Sequence, residues 1–475
     1  MNSDWYYKKR SKSKIITIWL VVLIIFCILI YFRYFFVTSR SLFMMERVNK
    51  EVQLIGVIAE EPDNFGFKKS LVVEIKAPER ESKNNWTQGV FSILNIRRYF
   101  DPAYRKDKIR IITNCTDCSL GHKIKFTGTL SLPKVTEDFD SDIFLLARGV
   151  QFEIVNAKIT KSYGLDPRYK LESFLCNFKN SFVEKIKLSL GNREESALGS
   201  GILITGKGEL SKKTLEDFKR SGLVHMVVLS GYNVSIVSQV IISVLSFLPK
   251  LATGILGSIG TILFCIMVGG GATVIRSLIM SLIGIFSRVF DLNYSALEAV
   301  LAAGVLMIIQ NPLIIIGDPS FQLSFACTLG LILLGNASKH FFSFVTDRFG
   351  LREIVSSSFA VQIFSLPLLL KFSGSISVYG ILANIIVVPL IPFAMLAVFF
   401  MGVLCFINVD LGMLFAPVSH IFLSYMLFVV KYVSSLDSAI LEIGKTSNQF
   451  IFCWYITVIP ISTAIYRKYL TPIAP

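Results

Sequence analysis

Long apolar runs constrain this chain most, because each is about as long as a bilayer's hydrocarbon core is thick. A membrane-spanning helix needs roughly 20 consecutive apolar residues, and such runs recur from residue 223 to residue 467. Charged residues make up only 17% of the chain, against about 25% in soluble proteins. We therefore expect a polytopic α-helical membrane protein of about ten spans. The predicted spans are 15–37, 223–248, 251–270, 273–290, 296–317, 320–336, 354–371, 377–407, 411–433 and 449–467.

The predicted span at 377–407 is too long for one simple crossing. Pro389 and Pro392 interrupt it, and prolines are tolerated at membrane depth where the freed backbone groups meet protein or a wet cavity. We therefore predict a broken helix that lines a cavity.

Basic residues indicate the orientation. The N-terminus is rich in lysine ahead of the apolar run 15–37, and no small-residue cleavage site follows that run. Lysine and arginine collect in cytoplasmic loops, so we expect an uncleaved first span with a cytoplasmic N-terminus. Ten crossings then place the C-terminus inside as well.

The segment after the first span has a different pattern. Short runs such as Val52–Ile58, Leu71–Ile75, Val90–Ile96 and Ile124–Leu130 alternate apolar and polar residues between turn residues, which predicts strands. About five or six short strands are typical of an OB-fold. With the N-terminus inside, this small all-β OB-like domain lies outside the cell.

Four domains follow from these patterns. The segment between the β domain and the channel region includes Phe174–Leu190, whose mixed apolar and lysine residues suit a helix on the membrane surface, and Ser211, which can cap a following helix. The predicted domains are the basic N-terminus and first transmembrane helix (1–45), the exterior OB-like domain (46–160), amphipathic interfacial helices (161–221) and the polytopic channel domain (222–475).

Several polar residues stand inside apolar runs. Arg276 follows Gly269-Gly270-Gly271, and a guanidinium facing lipid costs at least about 3 kcal/mol. Arg276 therefore either faces a wet cavity or snorkels to the interface. Asp318, before Pro319, either caps a helix or marks the substrate path, and Gln322 and Ser324 either bond between helices or line a pore.

The stretch from Gly222 to Asn233 brings His225, Ser230 and Asn233 into one apolar run. We interpret it as a polar constriction at a broken helix. A serine hydrolase with Ser230 activated by His225 is the alternative, but Leu229-Ser230-Gly231 does not match the GxSxG elbow.

Cofactor signals are weak. The chain lacks a GxxxxGK[ST] nucleotide motif, and its four histidines are scattered, so we expect no nucleotide, metal or other cofactor. Cys115 and Cys118 form a CxxC pair. In an exterior domain a disulfide is favoured, with free thiols or a metal site as the other possibilities.

Basic and aromatic residues alternate in one stretch of the β domain. Basic side chains track a phosphate backbone and aromatic faces stack bases, so we predict DNA capture here. The alternative is a solvated loop beside anionic headgroups. The candidate residues are Arg97, Arg98, Tyr99, Tyr104, Arg105, Lys106 and Lys108.

Four blocks of the chain, in order, carry a resemblance. They are Ile202–Leu210 with Lys219–His225 and Leu229–Asn233, then Gly269–Met280, then Asn311-Pro312 with Asp318–Phe325, and finally Ala383–Pro392. Together they resemble the ComEC family of competence proteins, the DNA-internalisation channels of the inner membrane. The segment before them resembles that family's exterior OB domain.

The resemblance implies a plasma (inner) membrane channel for uptake of single-stranded DNA during natural transformation. The implied partners are single-stranded DNA, the lipid bilayer, an exterior DNA receptor, a cytoplasmic helicase motor and a separate nuclease. The residues expected to line or gate the channel are His225, Ser230, Asn233, Arg276, Asp318, Gln322, Ser324 and Asn384.

This chain departs from the family pattern at two points. Asn233 stands where the family signature often has histidine, and no metallo-β-lactamase-like domain follows the last span, so no nuclease or other enzyme activity is expected. Two other functions fit the same residues. One is a transporter of another anionic solute with an exterior receptor domain, and the other is a membrane hydrolase centred on Ser230.

Overall fold

The computed structural model describes most of the chain, and its described residues form two compact units. The first combines the described part of Met1–Asp166 with Gly304–Asp318, and the second comprises the described parts of Pro167–Ala303 and Pro319–Pro475. The described residues are 27–28, 30–31, 33–35, 37–38, 42–65, 68–75, 107–115, 118–133, 140–191, 193–206, 210–227 and 231–470.

The first unit is built around a bent sheet that closes on itself. The order of the strands is β1-β3-β4-β6-β5-β7, β2 pairs with β3, and β1 also pairs with β5. Strands β4 and β6 run parallel, whereas β1 runs antiparallel to both β3 and β5. The strands are β1 (Glu51–Ile58), β2 (Asp63–Phe65), β3 (Lys68–Ile75), β4 (Asp107–Thr113), β5 (His122–Ser131), β6 (Val150–Val155) and β7 (Lys158–Leu165).

Alternation of side chains explains why these strands form a barrel. On β4, Ile109 and Ile111 are fully buried, while Arg110 between them points outward. Phe126 of β5 and Phe152 of β6 fill the same core. The prediction of a small OB-like β domain is thereby confirmed. The predicted strand at Val90–Ile96 lies outside the described residues.

The rest of the fold is helical, apart from a short hairpin of β8 (Ser375–Ser377) and β9 (Ile440–Glu442). The helices are α1 (Leu42–Met45), α2 (Ser141–Ala147), α3 (Lys170–Leu190), α4 (Glu194–Ser200), α5 (Lys212–Arg220), α6 (Val224–Val227), α7 (Gly231–Val244), α8 (Lys250–Val268), α9 (Ala272–Val289), α10 (Ala296–Gln310), α11 (Ile314–Gly317), α12 (Pro319–Phe341), α13 (Leu351–Ser373), α14 (Gly380–Val387), α15 (Ile391–Ile407), α16 (Val409–Ser434) and α17 (Asn448–Leu470).

Among the described residues, seven helical stretches are long and apolar enough to cross a bilayer. Each coincides with a predicted span, so the prediction of a polytopic helical membrane protein is confirmed. They are Lys250–Val268, Ala272–Val289, Pro319–Phe341, Leu351–Ser373, Gly380–Ile407, Val409–Ser434 and Asn448–Lys468.

The three other predicted spans differ in length or lie outside this set. Within the described residues, the span 296–317 contains the 15-residue helix α10, and the span 223–248 contains α6 and α7 on either side of residues 228–230, which are not described. Asn311-Pro312 follows α10 directly, and a helix usually ends at or before the residue that precedes a proline. The run 15–37 lies mostly outside the described residues.

Two local predictions match the structure. A 3₁₀ turn at Val388–Leu390, which contains Pro389, separates α14 from α15, as expected for a broken helix. At the start of α5, Ser211 Oγ accepts the Thr214 N–H at 3.1 Å, which is an N-terminal cap.

A buried helix precedes the long apolar helices in the second unit. Helix α4 continues into a π-helical turn at Gly201–Thr205, and residues 196–204 are all buried. Single π turns are frequent at functional sites because they redirect backbone groups. This turn lies in the same hydrophobic core as residues of α15 and α16.

Candidate functional site

Arg276 is the most buried cation described in the apolar helices. It lies in the second turn of α9 with only 9% of its surface exposed. Its Nη1 donates to the Ser324 carbonyl of α12 at 2.7 Å, and the guanidinium lies 6.0 Å from the centre of the Phe325 ring. Protein therefore surrounds most of the guanidinium.

The start of α7 lies directly against this guanidinium. A methyl group on Gly231 would collide with Ser277 Oγ and come within 2.5 Å of Arg276 Nη2. A side chain at position 231 would therefore displace the Ser277 hydroxyl and the end of the Arg276 side chain.

Two buried polar atoms at the same place have no hydrogen-bond partner among the described residues. They are Arg276 Nε and Ser324 Oγ. An unmade hydrogen bond at a buried polar atom costs about 1–3 kcal/mol. A guanidinium N–H and a hydroxyl together match the oxygens of an anion such as phosphate. We name this group, Gly231, Arg276 and Ser324, the arginine site.

Asn233 and Asn384 hold other parts of the second unit. Asn233 is 4% exposed, and its Nδ2 donates to the Ile202 carbonyl of the π turn at 2.8 Å. Asn384 Nδ2 lies 3.5 Å from Ser358 Oγ, while its Oδ1 has no partner among the described residues. Asn233 therefore ties α7 to the buried turn, and Asn384 keeps a spare acceptor.

Three further predicted lining residues are described by the structure. His225 is exposed on α6, where its ring bonds to the Gly222 backbone. Gln322 is half-buried one turn into α12. Asp318 is buried in the first unit, directly after α11. Ser230 lies outside the described residues.

The predicted capture residues are described only at Lys108. Its Nζ lies 2.8 Å from Glu60 Oε1, so Lys108 is part of an ion pair on the β domain. Cys115 and Cys118 are joined by a disulfide. The other predicted capture residues lie outside the described residues, namely Arg97, Arg98, Tyr99, Tyr104, Arg105 and Lys106.

The Asn311-Pro312 motif has a role that the sequence did not indicate. Within the first unit, Asn311 Nδ2 donates to the Ala147 carbonyl at 2.7 Å, at the end of α2. Gly317 packs against Ile143, where a methyl group would lie 2.5 Å from the Ile143 carbonyl oxygen. The segment 304–318 is thereby fixed to α2 of the β domain.

A second ionic cluster was also missed. Glu194 and Glu195 begin α4 and face α16, where Lys431 Nζ lies 2.5 Å from Glu194 Oε2. His420 Nδ1 lies 3.9 Å from Glu195 Oε1, and Ser424 Oγ donates to that carboxylate at 3.3 Å. The sequence pattern that could have indicated this cluster is a Glu-Glu pair directly before an apolar stretch, together with a lysine and a histidine inside a distant apolar run.

This ionic cluster makes a prediction about pH. The hydrogen bond from Lys431 lowers the pKa of Glu194, and Thr214 adds a second donor at 2.8 Å. A carboxyl whose pKa is lower in the folded state adds stability above its unfolded pKa and loses it as pH falls through the folded value. Lys431→Met should therefore lower the melting temperature at pH 7 and have little effect at pH 3.

The expected difference is small, below about 1 kcal/mol, because both side chains are partly exposed. Thermal unfolding of the purified protein and the variant at both pH values measures it. An equal difference at pH 7 and pH 3 would show that the charge on Glu194 is irrelevant.

No group of three or more metal-ligating side chains occurs among the described residues.

Comparison with known proteins places the chain. It is 22% identical over 361 residues to ComE operon protein 3 of Bacillus subtilis (strain 168). The aligned region covers 74% of this chain and 45% of that relative. The chain thus spans under half the length of the relative. No solved structure matches. The model of the competence protein family matches residues 202–468, which include the arginine site. The chain therefore belongs to the competence protein family.

Proposed function

We propose that the chain is a plasma-membrane channel that passes single-stranded DNA into the cell during natural transformation. The observation that carries this proposal is the arginine site, where the 9%-exposed guanidinium and the Ser324 hydroxyl each keep a buried polar atom with no partner among the described residues. Membership in the competence protein family supports the same function.

The physical argument starts from the charge of the cargo. A DNA strand carries one negative charge per nucleotide, and an unneutralised charge at the centre of a bilayer is costly. A channel for DNA therefore needs fixed cations and hydrogen-bond donors on its path. Burying an arginine in a membrane costs free energy. A transient hydrogen bond to each passing phosphate would be the function that such an arginine serves.

The arginine site suits transient binding. Arg276 donates one hydrogen bond to Ser324 O, and this bond holds the guanidinium in place when no phosphate is bound. A passing phosphate can therefore accept hydrogen bonds from the remaining donors and leave again without a rearrangement of the site. Weak, reversible binding favours conduction because a tightly held strand would not move on.

The other predicted residues complete the proposal. We propose that His225, Ser230, Asn233, Asp318, Gln322 and Asn384 also line or gate the passage, and that the segment containing Arg97 to Lys108 captures the strand. The β domain lies outside the cell and both termini lie in the cytoplasm. We also propose that a cytoplasmic helicase motor supplies the energy, and that an exterior receptor and a separate nuclease supply the strand.

Uptake in a deletion strain tests the proposal. Cells that lack this gene should not accumulate fluorescent DNA in a nuclease-protected form, and the restored gene should return accumulation to the wild-type level. Binding of the dye-labelled DNA to the cell surface is scored separately, since an exterior receptor performs that step.

The same assay separates the alternatives. If the deletion strain takes up DNA normally but loses uptake of a small anionic solute, the arginine site serves a different oxyanion and the DNA channel is wrong. Labelling by a serine-reactive probe that disappears in Ser230→Ala would instead support a hydrolase.

A further inference from the structure

A histidine lies inside one of the long apolar helices. His420 is near the middle of α16, a helix long and apolar enough to cross a bilayer. Ionisable side chains within membrane spans are rare, because a charge at that depth costs free energy, and they mark ion paths and proton relays. The His420 side chain is 45% exposed, so protein does not seal it. A titratable group at this depth therefore needs a polar partner.

That partner is a carboxylate on α4. Glu195 Oε1 lies 3.9 Å from His420 Nδ1, and the Glu195 side chain is 18% exposed. Ser424, one turn further along α16, bridges the two side chains. Its Oγ donates to Glu195 Oε1 at 3.3 Å and lies 3.2 Å from His420 Nδ1. A hydroxyl has one donor and two acceptor sites, so Ser424 can donate to the carboxylate while it accepts an imidazole N–H.

This hydrogen-bonded row can hold one proton in two places. With the proton on the ring, His420 is an imidazolium and Glu195 is a carboxylate. When the ring N–H gives its proton to Ser424 Oγ and the hydroxyl proton moves to Glu195, the pair becomes a neutral imidazole and a neutral carboxylic acid. Both states bind the same proton and have the same total charge. The second state has no separated charges, which suits an apolar layer.

The other charged groups around the row are of types that keep their charge where histidine changes its own, between about pH 5 and pH 8. Glu194 forms an ion pair with Lys431. Helices α14 and α15 also pack on α16 and contain no charged residue. The charged residues of α5 that act on the Glu194–Lys431 pair, and those in the last two turns of α3, are Lys213, Asp217, Glu184, Lys185 and Lys187.

We propose that Glu195, Ser424 and His420 form a proton-binding site at membrane depth, which we name the proton site. Glu195 lies in the first turn of α4, which continues into the buried π turn. There the Ile202 carbonyl accepts Asn233 Nδ2 of α7. Proton occupancy therefore acts on one end of a buried segment whose other end holds α7. That this affects DNA transport rests on the proposed function, whereas the proton site itself does not.

A double-mutant cycle on the purified full-length chain in a non-ionic detergent tests the proton site. The melting temperatures of the wild type, Glu195→Gln, His420→Gln and the double variant are compared, and the non-additive part measures the interaction of the two side chains. An imidazole is charged below about pH 6.5, so its attraction to a carboxylate is present at pH 5.5 and is lost as the pH rises. We expect an interaction of about 1–2 °C at pH 5.5 and less than half of that at pH 8.

The neighbouring ion pair supplies a matched control. Lysine stays charged over this pH range, and the hydrogen bond from Lys431 keeps the pKa of Glu194 below its usual range. The same cycle with Glu194→Gln and Lys431→Met should therefore give equal interactions at pH 5.5 and pH 8. In a Ser424→Ala background the interaction of Glu195 with His420 at pH 5.5 should fall, because the bridging hydroxyl is lost.

Two results would overturn the proposal. An interaction between Glu195 and His420 that is equal at both pH values would mean that no proton is bound between them. An interaction that is unchanged without the Ser424 hydroxyl would contradict the three-residue site. If Glu195→Gln does not fold, the melting temperatures of the wild type and His420→Gln are compared alone. Their difference must then change between pH 5.5 and pH 8, and a constant difference counts against the proton site.

The measurement is independent of transport, so it separates this inference from the proposed function. A chain that shows the pH-dependent interaction but does not restore DNA uptake to the deletion strain supports the proton site and contradicts the proposed function alone. A chain that restores uptake but shows no pH-dependent interaction contradicts the proton site alone.

Discussion

Arg276→Ala should abolish DNA uptake while the protein stays inserted in the membrane at normal abundance. Truncating one partner of a desolvated charge pair costs about 2–5 kcal/mol, which corresponds to a fall in transformation of roughly thirtyfold to several thousandfold. Stability should change little, because Arg276 donates one side-chain hydrogen bond, to a carbonyl that Thr328 Oγ1 also contacts at 2.8 Å.

Arg288→Ala is the matched control for this prediction. Arg288 lies in the last turn of the same helix, α9, and is exposed, so its loss removes one positive charge without touching the arginine site. Transformation frequency and membrane abundance are measured for both variants. Normal transformation by Arg276→Ala at normal abundance would remove Arg276 from the DNA path.

Arg276→Lys separates charge from geometry. Lysine keeps the positive charge but lacks the planar set of donors that lets Arg276 bond to Ser324 O and still offer Nε. If the positive charge contributes without the bonding geometry, uptake by Arg276→Lys should lie between that of the wild type and that of Arg276→Ala. If bonding to Ser324 O and to the cargo at the same time is essential, uptake should fall to the level of Arg276→Ala. Wild-type uptake would show that the free Nε has no role.

The membrane helices were predictable because hydrophobicity over a span is a local property. The predicted span 273–290 differs by one residue at each end from α9 (Ala272–Val289). The break near Pro389 followed equally from a single residue type. Gly222, which has φ +76°, lies directly before the predicted span 223–248, and residues 228–230 of that span lie outside the described residues.

The contacts of the arginine site could not be predicted, because they join residues far apart in the chain. Arg276 and Ser324 O are separated by 48 positions, and no periodicity relates them. Gly231 was noted only as part of an irregular stretch, and its role depends on Ser277 and Arg276 reaching the same point. The sequence identified a costly arginine, and the fold supplied its neighbours.

Gly330→Ala should destabilise the protein by about 2 kcal/mol through the crossing of α12 and α13. A methyl group at Gly330 would lie 2.8 Å from the Ala360 carbonyl oxygen and 2.9 Å from Phe364 Cβ. Small residues allow membrane helices to approach closely, and neither of these neighbours is the flexible end of a side chain. The helices must therefore separate, which also shifts Ser324 on α12 away from Arg276.

Gly335→Ala on the same helix isolates this packing effect. A methyl group there meets only Leu331 of its own helix, at 3.4 Å, which is an ordinary contact. Both substitutions gain about 1 kcal/mol of helix propensity, so the difference between the two melting temperatures reports the crossing itself. Thermal unfolding in detergent should place Gly330→Ala several degrees below the wild type and Gly335→Ala at or above it. Equal melting temperatures would mean that α12 and α13 do not cross closely at Gly330, and the position of Ser324 beside Arg276 would lose its support.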